Sequence, residues 1–331
     1  MSKKLSCCSV LSPIITEYLA LERALGKGYA NEERVLHYLD SFLAEDGSDL
    51  TPESFADWCL AEEHHSSGVR CRWMRIVRNL CLYRRRKDLA CFVPDPSQFP
   101  RLNQPVQPHI FTEVEIIRLL RATDTLAQTP RAPLCRETYH LAIVLLYTTG
   151  LRRGELVRLT VGDYDPVEHT LLVRESKFHK SRLLPLSPDG FQEIDSHLKI
   201  RRARLLPVSA ETPLLWNRYK GGNGYTGVGF AQRVRSLFRV AEIRTASGRL
   251  PRVHDFRHSF CVNALLRWYR SGADVQAKLP FLATYVGHVS IVSTEYYLPF
   301  VNDLAAAAID RFARHCGNLI AVPSALAGGA P

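Results

Sequence analysis

Three short clusters in this 331-residue chain carry residue types suited to chemistry on a phosphodiester. The first is Thr149-Gly150-Leu151-Arg152-Arg153-Gly154-Glu155-Leu156. The second is His254-Asp255-Phe256-Arg257-His258. The third begins at Gly287-His288 and ends nine residues beyond His288, at Tyr297. A phenol can attack phosphorus without a metal under certain conditions. Fixed cations must neutralise the pentacoordinate centre, an acid must protonate the leaving 5′ oxygen, and all groups must be held in line. Arginine suits the phosphate because its fork donates two parallel hydrogen bonds and never loses its charge. Taken singly, each residue has a plainer reading. Arg152 is a surface arginine at a helix end, Arg257 belongs to an ordinary ion pair, and Tyr296 and Tyr297 are core aromatics. Adjacent residues on a helix point about 100° apart, so only one of the two tyrosines can face a phosphate.

Taken jointly and in this order, the clusters match the patterns T-G-x-R-x-x-E, H-x-x-R and G-H followed by a late tyrosine. The chain thus resembles the tyrosine recombinase (phage integrase) family. That resemblance implies that Tyr297 is the nucleophile, forming a 3′-phosphotyrosyl bond and freeing a 5′-hydroxyl. It implies that Arg152 and Arg257 clamp the scissile phosphate, that the buried Glu155 braces the loop of Arg152, and that His288 hydrogen-bonds a non-bridging oxygen. His254 becomes a proton acceptor or phosphate donor, and His258 a packing residue. Lys177, in the turn Glu175-Ser176-Lys177-Phe178-His179-Lys180, becomes the acid for the leaving group, with Lys180 as the alternative.

The i, i+4 spacing of His254 and His258 also invites a zinc reading. No Glu follows His254 directly and no Cys lies near, so no metal is expected. No cofactor and no ATP are expected either, since the covalent intermediate keeps the bond energy. The implied partner is double-stranded DNA with specific recombination sites. It would be bound by a homo-oligomer, four protomers on two duplexes, with accessory or sister recombinases where the system uses them. Two other readings stay open: a type IB topoisomerase-like or telomere-resolvase enzyme, and a non-catalytic DNA-binding relative. Thirty residues separate Arg257 from His288, and the excess is ascribed to an insertion at Arg267–Ala273.

The expected fold class is mainly α with a small antiparallel sheet, in two domains. Residues 1–93 read as a four-helix core-DNA-binding domain, 94–109 as a linker, 110–317 as an α+β catalytic domain and 318–331 as a flexible tail. Amphipathic patterns cover Pro13–Leu25 and Asn31–Leu43, and Thr51-Pro52-Glu53-Ser54 is a helix start. Prolines 94, 96, 100, 105 and 108 cannot continue a helix. Beyond them, Thr112 caps a helix with Ile116, Ile117, Leu119 and Leu120, and a buried helix runs from Thr138 to Tyr147. Short strands are expected at Thr170–Glu175, Arg182–Leu186 and Pro213–Trp216, and helices at Phe230–Ala241, Phe256–Trp268 and Asp303–His315. The G-x-G-x-x-G run from Gly222 to Gly227 lacks a βαβ context. It reads as a loop feeding the helix Phe230–Ala241, whose first amides can hold a phosphate. The apolar stripe of Asp303–His315 suits core packing or a neighbouring protomer equally.

Net charge is +10 and the pI about 9.2, which favours an anionic partner. The charge is uneven: residues 1–63 carry five Lys/Arg against twelve Asp/Glu, and residues 64–101 nine against two. Between Arg70 and Lys87, eight cations alternate with Trp73, Met74, Ile76, Val77, Leu80 and Leu82. That spacing predicts one apolar and one basic helix face with almost no acid alongside, and assigns Arg70, Arg75, Arg78, Arg84, Arg85 and Lys87 to DNA. Arg233 and Arg235 are assigned to DNA with them. Nine cysteines, an odd number without a C-x-x-C pair, read as free thiols, with Cys71, Cys81 and Cys91 as small buried apolar residues. No run reaches the ~18 apolar residues of a membrane span. Met1–Val10 lacks the apolar core of a secretion signal, so the expected location is cytoplasmic and nucleoid-associated.

Overall fold

The computed structural model describes residues 9–101, 107–174, 181–222 and 224–287, except the side chains of Asp46 and Lys220. The chain divides into two units, Met1–Val106 and Gln107–Pro331. The fold is mainly helical with one three-stranded antiparallel sheet. The expected helix at Asp303–His315, the tail 318–331 and the turn around Lys177 lie outside the described residues.

The first unit contains α1 (Ser12–Ala24), α2 (Ala30–Asp46), α3 (Pro52–Ala61) and α4 (Ser67–Arg84). Thr51 caps α3 through a reciprocal pair of hydrogen bonds with Ser54, as the Thr-Pro start predicts. Ile15 and Tyr18 of α1, Leu36, Leu39 and Leu43 of α2, and Trp58 of α3 close around Trp73, Val77 and Leu80 of α4. Each such burial is worth about 1.5–3 kcal/mol. The basic face of α4 departs from expectation in two ways. The helix ends at Arg84, so Arg85 and Lys87 follow it rather than lie on it. Its cations are also better matched than the local sequence suggests. Arg84 grips Asp49 with two 2.6 Å bonds, Lys87 pairs with Glu17 at 2.6 Å, and Arg78 donates to the Pro94 carbonyl at 2.5 Å. The acids come from α1 and the α2–α3 connection, out of reach of a local charge count. Arg72, Arg75 and Arg85 stay exposed.

The second unit begins with α5 (Glu113–Ala122), capped by Thr112 and Glu115. It continues with α6 (Cys135–Thr149) and the single turn α7 (Arg153–Leu156). Next come β1 (Tyr164–Asp165), β2 (Thr170–Val173) and β3 (Arg182–Pro185), in the order β1-β2-β3. The β2–β3 register sets Val173 opposite Arg182. Among the described residues, four α-helices follow: α8 (Pro188–Ala203), α9 (Gly227–Val240), α10 (Asp255–Arg270) and α11 (Val275–Val286). The expected strand at Pro213–Trp216 is reduced to one bridge, Thr160 to Pro213. Arg267–Arg270, read as part of an insertion, forms the last turn of α10. Cys59, Cys71, Cys81, Cys91, Cys135 and Cys261 are free thiols, and Cys91 is half-buried rather than buried. The core is built on α6, whose Tyr139, Leu141, Ala142 and Leu145 meet Ile194 and Leu198 of α8, with Phe230, Phe238 and Phe256. Phe111 stacks on Phe256 at 4.5 Å, and Tyr139 on Phe230 at 5.4 Å.

Gly150 ends α6 in the left-handed region, φ 63°, and a Cβ there would stand 2.7 Å from the Phe260 ring. Gly150→Ala combines left-handed backbone strain with overpacking, and its expected cost is about 3 kcal/mol. A downward shift of the urea unfolding midpoint at constant slope checks it.

Candidate active site

Helix α11 ends at Gly287, φ 68°, and a helix end leaves carbonyls without helical partners. The Gly287 amide satisfies those of Ala283 and Thr284. The next three are taken by three arginines. Arg182 Nε donates to the Tyr285 oxygen at 2.8 Å, Arg257 Nη2 to that of Val286 at 2.5 Å, and Arg152 Nη2 to that of Gly287 at 2.6 Å. Arg257 Nη1 also donates to the Gly150 oxygen at 3.0 Å, tying the second motif to the first. The negative end of the helix dipole favours all three cations.

Glu155 is 3% exposed and lies between Arg152 and Arg182. Its Oε1 accepts from Arg152 Nη1 at 2.7 Å and Arg182 Nη1 at 3.1 Å. Its Oε2 accepts from the Arg152 amide at 3.0 Å and Arg182 Nη2 at 2.9 Å. Burial opposes its charge, but the hydrogen bonds from Arg182 and Arg152 prevail and hold its pKa down to about 2. Two guanidinium groups on this carboxylate and a third, Arg257, on the Val286 carbonyl leave a local excess of positive charge, the balance a phosphate needs.

His254 precedes α10 and is exposed to solvent. Nearby packed protein and the charges of Arg257, Arg252 and Arg152 nevertheless lower its pKa, with Asp255 opposing. A neutral imidazole can accept a proton. His258 is buried, its ring set edge-on to His254 with centroids 4.8 Å apart. Burial, then the neighbouring His254, pushes its pKa down to about 4. Among the described residues, donor atoms at metal-binding separation occur instead at Glu62, His64 and His65 in the first unit, where His65 pairs with Glu62 at 3.3 Å.

The His258 shift has a sign. Its unfolded imidazole takes a proton near pH 6.5 and its folded one only near 4, so unfolding gains protons between them. Stability attributable to His258 is intact above 6.5 and falls by about 3 kcal/mol as pH drops to 4. Urea unfolding of wild type and His258→Gln across this range checks it, the variant losing that part of the slope.

The structure thus brings together Arg152, Glu155, His254, Arg257 and His258. Lys177, His288, Tyr297 and the competing Tyr296 and Lys180 lie outside the described residues. Val173 and Arg182, the described ends of β2 and β3, flank the segment holding Lys177. Arg233 and Arg235 are exposed on α9, whose Thr226 cap bonds the Gly229 amide. Arg70, Arg75, Arg78, Arg84, Arg85 and Lys87 belong to the first unit. Sequence reading missed Arg182, which looked like the first residue of a strand.

The family model described as "Phage integrase family" matches residues 110–300. The chain belongs to this family. Its members, the tyrosine recombinases, are DNA strand-transferring enzymes that act in DNA recombination and integration. A putative integrase/recombinase, y4rB of Sinorhizobium fredii (strain NBRC 101917 / NGR234), is 31% identical over 310 residues, covering 92% of this chain and 98% of its own. Tyrosine recombinase XerD of Mycobacterium leprae (strain TN) is 30% identical over 213 residues, covering 63% of this chain and 61% of its own. Among solved structures, the Tn1549 transposon integrase in complex with transposon right end DNA has a TM-score of 0.60 at 20% identity, covering 91% of this chain and 99% of its own. A lambda integrase dimer bound to a COC′ core site has a TM-score of 0.60 at 14% identity, covering 87% and 76%. These two share the fold. Among the described residues, no helix of this tyrosine recombinase is long and apolar enough to cross a membrane.

Proposed function

We propose that the protein is a site-specific DNA recombinase or integrase. The Tyr297 oxygen attacks the scissile phosphorus as its proton passes to His254. The bond to the 5′ oxygen breaks and Lys177 supplies that oxygen with a proton. The products are a 3′-phosphotyrosyl bond and a free 5′-hydroxyl. A second 5′-hydroxyl then attacks the phosphotyrosine, releases the phenol and joins a new strand pair. Arg152, Arg257 and His288 carry the phosphate's charge, with Glu155 behind Arg152. Neither metal nor ATP enters the electron balance. The protein acts in the cytoplasm on the nucleoid, as four protomers on two duplexes, with accessory or sister recombinases where its system uses them. Residues 1–93 grip the core DNA through Arg70, Arg75, Arg78, Arg84, Arg85 and Lys87, residues 94–109 link, and residues 110–317 cut and rejoin with help from Arg233 and Arg235. DNA in the structures of the Tn1549 and lambda integrases supports this choice of partner.

The observation that carries the proposal is the convergence of Arg152 and Arg257 on the adjacent carbonyls of Gly287 and Val286, directly before His288. Two motifs more than 100 residues apart in sequence bring their cations to the threshold of the third. Arg257 holds two carbonyls and is 1% exposed, so phosphate binding requires the surroundings of this guanidinium to open.

The test is a library of nicked duplexes with a randomised core, from which covalent protein–DNA adducts are recovered under denaturing conditions. Wild type and Tyr296→Phe should form adducts and Tyr297→Phe none. Loss of adduct with Tyr296→Phe alone would move the nucleophile by one residue. Relaxation of plasmids that lack any recovered site would favour the topoisomerase reading, and absence of every adduct the non-catalytic one.

A further inference from the structure

We propose that Arg182 is a positioning residue for strand transfer, aligning Arg152 without touching the phosphate. The role rests on the recombinase reading above.

Arg182 opens β3 and its side chain is 11% exposed. Its guanidinium makes three described hydrogen bonds, which reach two parts of the site. Nη1 and Nη2 take both oxygens of Glu155, at 3.1 and 2.9 Å. Nε holds the Tyr285 carbonyl at 2.8 Å. The Tyr285 hydroxyl returns a bond to the Pro185 carbonyl at 3.0 Å, so β3 and α11 are joined at two points. Gly287 lies so close that a Cβ there would stand 3.0 Å from Arg182 Nη1. Arg152 reaches the same two groups, Glu155 and the end of α11, through its own Nη1 and Nη2.

The two arginines therefore share one carboxylate and one helix terminus. Glu155 could rotate about its side chain if only Arg152 held it. A bidentate grip from a rigid strand removes that freedom. A lysine cannot replace it, because a point charge does not span both carboxylate oxygens and a carbonyl. With Arg182 in place, the orientation of Arg152 is fixed before DNA arrives, which is where rate is gained or lost.

The experiment compares adduct formation on a recovered nicked duplex and on the same duplex with a neutral methylphosphonate at the scissile position. Removing the phosphate's charge removes the need for Arg152. Arg182→Gln should slow adduct formation about 10- to 100-fold on the ordinary duplex, the scale of a misplaced catalytic group. On the methylphosphonate most of that loss should vanish. The double variant with Arg152→Ala should be no slower than Arg152→Ala alone. Arg182→Lys, which keeps the charge, should show the same pattern and serves if Arg182→Gln does not fold. A defect of equal size on both substrates, or one that adds to Arg152→Ala, would overturn the role and mark Arg182 as structural. Unchanged rates would overturn it too. A wild-type protein that forms no Tyr297-dependent adduct overturns the recombinase reading, and this role with it.

Discussion

Arg257→Lys should form the covalent adduct about 100- to 1,000-fold more slowly than wild type, the range seen when one fixed donor to a developing oxyanion is lost. The reason is geometric before it is electrostatic. The Arg257 guanidinium spans the Gly150 carbonyl at 3.0 Å and the Val286 carbonyl at 2.5 Å. A lysine ammonium carries the same charge on a single atom and has no fork. It can stay with one carbonyl, leaving the other unsatisfied in a buried setting, or turn to the phosphate and abandon both. Lost hydrogen bonds of a charged donor are worth about 1.5–3 kcal/mol each, so a lower melting temperature should accompany the slower chemistry. Single-turnover adduct rates at saturating DNA separate the two effects. A rate within about threefold of wild type, in a protein that melts normally, would remove Arg257 from the phosphate.

The motifs were legible because their chemistry is local. A glycine before Arg152, a glutamate three residues after it, and a histidine three residues before Arg257 are readable as spacing. Helices such as α4 and α9 were legible because their apolar residues repeat at the helical period. Partner choice was not. The acids that match the basic stretch, Asp49 and Glu17, lie 35 and 70 residues from Arg84 and Lys87. Arg182 reads as an ordinary strand residue because its partners, Glu155 and Tyr285, lie 27 and 103 residues away. Helix α8 went unread although Ser187 and Pro188 are good start signals. Its segment is rich in charge, and its apolar contacts with the core are few, the buried Ile194 and Leu198 and the partly buried Phe191. The bridge at Pro213 shows the opposite error, an apolar run that pairs at one point only.

Glu155→Gln should cost about 3–5 kcal/mol at neutral pH, the penalty for breaking a buried ion pair from one side. The carboxylate accepts four hydrogen bonds, from the Arg152 amide, Arg152 Nη1, Arg182 Nη1 and Arg182 Nη2. A glutamine offers one oxygen, and its amide group turns two protons toward donors. The pH dependence supplies an independent measure of the same loss. Glu155 titrates near 4.5 when unfolded and near 2 when folded, so the unfolded chain binds its proton first on acidification. Its contribution is complete above 4.5 and disappears as pH falls through 2, a span worth about 3 kcal/mol. A protonated glutamate and a glutamine are near-isosteres, so the stability curves of wild type and variant should converge on acidification. Unfolding free energies of both proteins, taken at intervals from neutral pH to the acid limit of folding, give the difference directly. A constant gap across that range would mean that Glu155 does not hold its charge between the two arginines. In that case Arg152 would be oriented by the Gly287 carbonyl alone.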